Sequence, residues 1–158
     1  MPDASAAHSP DIDRRRRWLR VLAQAPRPEL EAAWARFTPA PAYGTLRQAE
    51  TGLVMVRGRI GGGGAPFNLG EMTMTRCAVR LADGSRTAGL SFIAGRDVRH
   101  AELAAVFDAL LLDPERHAEI ESMVIAPIEA GLEARRRASA AEIAETRVDF
   151  FTLVREQT

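Results

Sequence analysis

The spacing of apolar residues changes character along the chain. Trp18, Val21, Leu22 and Ala25 recur at helical spacing and predict a first helix running to about Ala25, with Asp11 or Asp13 as its N-cap. The Ala25-Pro26-Arg27-Pro28 step breaks it. Leu30, Ala33, Trp34 and Phe37 then predict a second, short helix with Pro28 near its first turn. Pro39 and Pro41 mark an extended connection.

From Tyr43 to Gly95 the period becomes two. Leu53 to Ile60 reads as a strand that is partly apolar on both faces. Met72 to Leu81 alternates, with Thr73, Thr75, Cys77, Val79 and Leu81 on one face and Met72, Met74, Arg76, Ala78 and Arg80 on the other. Asp83-Gly84 is a two-residue hairpin signal, and Ala88, Leu90, Phe92 and Ala94 share a face of the returning strand. Short turns between strands imply antiparallel pairing. Asp97 is placed to cap a helix reaching about Leu112, with an apolar stripe of Leu103, Val106, Phe107, Leu110 and Leu111. Pro114 begins another helical stretch, interrupted near Pro127 and resuming through Arg135-Arg136-Arg137 to about Arg147. Val148 to Val154 is a short apolar tail containing Phe150 and Phe151.

The expected fold is α+β: an antiparallel sheet of about four strands flanked by N-terminal and C-terminal helices. Residues 1–13, small, polar and proline-containing, are expected to be a disordered tail ahead of a single domain over 14–158.

Composition removes several chemistries. The 158 residues carry 21 cations against 21 acids, and that balance argues against a general nucleic-acid binder. All the cations are arginine. Without lysine there is no Walker A loop, no Schiff base and no lysine general base. The single cysteine, Cys77, cannot form an internal disulfide or a cysteine-clustered metal site, and its strand position marks it as a core thiol. His8, His100 and His117 lack metal-ligand spacing, so no metal site is expected, and no GxSxG elbow occurs. With neither a secretory signal nor an apolar run of about 18 residues, the cytoplasm is the expected location and no membrane partner is expected.

Three features are candidates for chemistry. Gly61 to Gly64 is either a mobile hairpin loop or a backbone cradle for an anion. Arg99 and His100 fall in the first turn of the helix capped by Asp97, with Arg96 just outside, where cations oppose the helix dipole. Their compensating anion is either a ligand phosphate at the helix N-terminus or a neighbouring carboxylate such as Glu102. Arg76 and Arg80, on a strand face with Met72 and Met74, either extend that basic patch or sit on a solvated sheet face. The candidate anion-binding residues are thus Arg96, Arg99, His100 and Arg76; no catalytic residue can be named. The Arg14 to Arg17 run reads as a solvated face or a subunit contact rather than a nucleic-acid site.

Several stretches in order resemble the PhnG family, a component of the carbon–phosphorus lyase core complex. They are Ala49-Glu50-Thr51-Gly52-Leu53-Val54, Pro66 to Glu71 leading into Thr75 to Leu81, Gly95-Arg96-Asp97 with His100-Ala101-Glu102, Ile125-Ala126-Pro127, and Arg147 to Thr152. The resemblance covers nearly the whole chain after residue 13, and the quadruple glycine is richer than the family's usual form. It implies an obligate subunit, assembled with other core subunits and chiefly with a large nucleosidase-like one. That complex takes part in displacing adenine from MgATP by a phosphonate, giving alpha-D-ribose 1-methylphosphonate 5-triphosphate. The resemblance implies a transferase complex in phosphonate catabolism, with this chain inactive alone. It also implies no cofactor bound by this chain, since MgATP is a substrate of the complex. The alternative is a stand-alone phosphate- or phosphonate-binding module.

Overall fold

The computed structural model describes residues 10–60, 63–84 and 87–145. Helix α1 spans Pro10–Gln24 and α2 Arg27–Trp34; strands β1, β2 and β3 span Tyr43–Gly58, Phe67–Leu81 and Ala88–Ala94. Helix α3 spans Val98–Leu111 and α4 Pro114–Ile120, and a π-helical turn at Glu121–Ile125 leads into α5, Ala126–Glu145. The sheet is antiparallel in the order β1-β2-β3. The architecture is therefore the expected α+β with helices at both ends, with three strands among the described residues where about four were expected. The difference arises because Tyr43 to Gly58 is one long strand. Register shifts between Thr45 and Arg47 and between Arg47 and Glu50 carry it through irregularities that break its alternation.

Two other expectations are corrected at the ends of elements. Pro10 to Asp13 form the first turn of α1 rather than the end of a tail, with Asp11 and Asp13 inside that turn. The expected disorder of residues 1–9, and the apolar tail from Val148 to Val154, lie outside the described residues. The connection after β2 spans 82–87 rather than two residues, with Gly84 at φ +82°. Near Pro127 the α-helical ladder is interrupted as expected: the π-helical turn at Glu121–Ile125 separates α4 from α5, and Pro127 follows as the second residue of α5.

Helix α3 is the hub. Asp97 accepts a hydrogen bond from the His100 backbone N at 2.9 Å, so the expected N-cap forms. From His100 to Leu111 every side chain except Glu102 is buried. The sheet covers one side of α3, and α1, α2 and α4 cover the others. A helix in that position has to be apolar all round, not along one stripe. Ala105 and Ala109 supply the thin side, and Gly89 of β3 answers them. A Cβ on Gly89 would lie 2.0 Å from the Ala105 carbonyl oxygen and 2.6 Å from the Ala109 backbone N, so only glycine permits this approach. In β2 the expected core face is correct, with Thr75, Cys77, Val79 and Leu81 buried against the hub. In β3 the core face is Gly89, Ser91 and Ile93; Leu90, Phe92 and Ala94 do share a face, but it points outward.

Candidate functional site

The start of α3 follows a turn at Gly95, φ +93°. Arg96 is exposed and makes no ion pair or hydrogen bond among the described residues. Arg99 donates from Nη1 to Glu102 Oε2 at 2.7 Å, and the Tyr43 hydroxyl donates to Glu102 Oε1 at 2.7 Å. Burial pushes the Glu102 carboxyl up, but the hydrogen bonds from Tyr43 and Arg99 outweigh it and hold the group below the usual carboxylate range. The same contacts hold Arg99 charged, and burial together with Glu102 raises the Tyr43 phenol. Within this chain, Arg99 thus has its compensating anion in Glu102.

His100 has a different task. It is 7% exposed, and its Nε2 lies 2.7 Å from the Leu22 carbonyl oxygen. A carbonyl only accepts, so Nε2–H donates and ties α3 to α1. Arg76 stands on the outer face of the sheet, opposite the face that α3 covers. Its Nε and Nη2 each lie 2.7 Å from Glu50 Oε1, which Arg47 Nη1 also reaches at 2.7 Å. Arg47 and Arg76 together keep Glu50 ionised. Beside this trio is a shallow cleft of about 270 Å³, lined in part by Thr51, Leu53 and Met74. The four residues singled out in the sequence therefore do not converge. Arg96 and Arg99 share one end of α3, His100 is turned inward, and Arg76 lies across the sheet.

What the sequence reading missed is an acid. Asp108, on α3, is fully buried and accepts from Arg15 Nη2, Trp18 Nε1 and the Leu90 backbone N, each at 2.8 Å. The carboxylate joins α1, α3 and an edge N–H of β3, and every donor it meets is satisfied. The signal was present: Asp108 is the lone polar residue in Leu103 to Leu112. Trp18 belongs to the apolar stripe as expected, but its indole N–H needs this partner. The Arg14 to Arg17 run divides accordingly. Arg14 and Arg16 pair with Asp11 and Asp13 on the surface, whereas Arg15 reaches Asp108 and Arg17 binds Glu129 and Glu121. The run is thus only half a solvated face.

Cys77 is buried as expected, its Sγ 3.5 Å from the Arg47 carbonyl oxygen, and burial followed by the Glu102 charge pushes its thiol up. A protonated thiol in that position is a packing group, not a nucleophile. Among the described residues no cluster of His, Cys, Asp or Glu is placed to hold a metal ion. No helix among them is long and apolar enough to cross a membrane.

The family model described as "Phosphonate metabolism protein PhnG" matches residues 13–156. The chain belongs to this family. It is also 44% identical over 155 residues to a Rhizobium meliloti (strain 1021) protein named alpha-D-ribose 1-methylphosphonate 5-triphosphate synthase subunit PhnG, covering 98% of this chain and 97% of that relative. The described residues build no closed pocket of converging reactive groups, and their chemistry is that of ion pairs and exposed strands.

Proposed function

We propose that this chain is a subunit of the synthase that makes alpha-D-ribose 1-methylphosphonate 5-triphosphate. The observation that carries the reading is the end-to-end 44% identity with a relative bearing that name. In this reading the complex is a transferase: a phosphonate oxygen attacks the ribose anomeric carbon of MgATP and adenine leaves. The attacking and leaving groups are held by another chain, chiefly a large nucleosidase-like subunit, and the complex works in the cytoplasm. This chain brings no cofactor, takes no covalent part and is inactive alone. The internal pairing of Arg99 with Glu102 and of Arg76 with Glu50 supports an accessory role. Of the four candidate anion-binding residues, Arg96, exposed and unpaired among the described residues, is the one that remains available to a phosphate or to a partner's carboxylate.

The test is reconstitution. Adenine release from MgATP and methylphosphonate is measured with the full set of subunits, with this chain omitted, and with this chain alone. The expected result is release from the full set, loss on omission, and none from the chain alone. Release by the chain alone, or full activity without it, would overturn the reading. Arg96→Ala and Arg99→Ala are followed in two readouts, adenine release and yield of assembled complex. Loss of release at normal yield marks a ligand contact, and loss of yield marks a subunit contact.

A further inference from the structure

The hairpin of β1 and β2 outruns the body that supports it. Strand β3 pairs with β2 from Met74 to Arg80, whereas β1 and β2 continue pairing from Gly52↔Met74 out to Gly58↔Phe67. Beyond Thr75 the inner face of β2 leaves α3 behind. Leu53 and Leu69 are each 66% exposed there, with Phe67 exposed as well; Met55 is exposed beside Leu53 on the inner side and Met72 on the outer, and the pairing shifts register at Leu69. Val54 and Val56 add to the outer side, where they are half-buried. Charge is nearly missing from this ribbon: Arg57 and Glu71 are its charged residues. A free two-stranded ribbon is marginal in water, and exposed apolar strands with open edges invite association.

Resting on the subunit reading above, we infer that this ribbon is a docking arm that inserts into an apolar cleft on another chain of the synthase. The geometry argues for a cleft. At about 3.3 Å per residue, some seven residues per strand give a ribbon about 23 Å long and roughly 10 Å wide. Its two faces together offer on the order of 500 Å² before the edges are counted, a large part of the roughly 800 Å² per partner in a stable interface. Edge-to-edge pairing with a second copy would lengthen the sheet and leave both faces in water. A surface that covers both faces belongs to a chain of different shape, and the scarcity of charge makes that surface apolar. Main-chain groups along the open edge of β1 can add hydrogen bonds to a partner strand.

The experiment compares full-length wild type, the double variant Leu53→Asp with Leu69→Asp, and Met72→Asp, each co-expressed with the other synthase chains. Arg137→Ala, on the exposed part of α5, serves as control. The expected result is retention of wild type and control, and at least a roughly hundredfold loss of the ribbon variants from the purified complex. The isolated variants keep the wild-type melting temperature and circular dichroism, because the ribbon lies outside the core. Failure of wild type to co-purify would sink the subunit reading itself. Retention of the ribbon variants beside retained wild type would sink the docking arm alone. A lowered melting temperature of the isolated variants would mean that the chain covers its own ribbon. A wild-type homodimer dissociated by the variants would mean that a second copy does. Either of those outcomes overturns the inference.

Discussion

Strand β2 passes through two environments, and its alternation runs unbroken from Leu81 back to Gly70, where its pairing with β1 shifts register. From Thr75 to Leu81 its inner residues are buried against α3; from Thr73 back to Phe67 the strand runs out into solvent, with Leu69 and Phe67 exposed. Nothing in the period distinguishes the halves, because alternation states which side chains share a face and not what covers it. The covered half is held by contacts that a single change can ruin. The uncovered half has little to lose within this chain, and whatever stabilises it comes from outside the described residues.

The contrast can be broken most severely at Asp108. Asp108→Ala leaves the Trp18 and Leu90 N–H donors buried without an acceptor, at about 1–3 kcal/mol each. Chemical denaturation should show a loss of about 3 kcal/mol; a loss under about 1 kcal/mol would mean that water enters and replaces the carboxylate. Next is Gly89→Ala. Its Cβ would collide with α3 backbone, so β3 and α3 must separate, at about 1–3 kcal/mol, with a matching drop in melting temperature. Wild-type stability for that variant would mean that the sheet does not sit this close to the hub.

Acid should act on the covered half through its ion pairs. Glu129, held down chiefly by its hydrogen bond from Arg17, and Glu102, whose burial is outweighed by Tyr43 and Arg99, are both lowered from the ordinary value of 4.5. Groups with depressed folded pKa values contribute stability above the unfolded value, and that contribution disappears as pH falls through the folded one. Denaturation midpoints should therefore fall as pH drops below about 4.5, and less steeply in Arg17→Ala. An equal slope in the variant would show that these pairs carry no pH-linked stability. Smallest of all is Leu53→Ala on the ribbon. In the isolated chain it should change stability by no more than about 0.5 kcal/mol, as surface substitutions do. A larger loss would show that the ribbon is covered in the isolated chain after all.

Local signals in the sequence determined a good deal. The helical spacing from Trp18 to Ala25, the cap at Asp97, the core face from Thr75 to Leu81 and the burial of Cys77 were all legible, since each follows from backbone period or from one hydrogen bond to a near neighbour. The apolar character of both faces from Leu53 onward was legible too, but not the length of the ribbon. Tertiary structure alone decided which carboxylate each cation meets. Arg99 found Glu102 three residues away, while Arg15 found Asp108 across 93 residues of chain. It also decided that Leu90 and Phe92 face outward, that His100 points at Leu22 and that Arg76 is parted from Arg99 by the sheet. A period assigns residues to faces, and only the packing of distant elements determines which face is covered and which charges become neighbours.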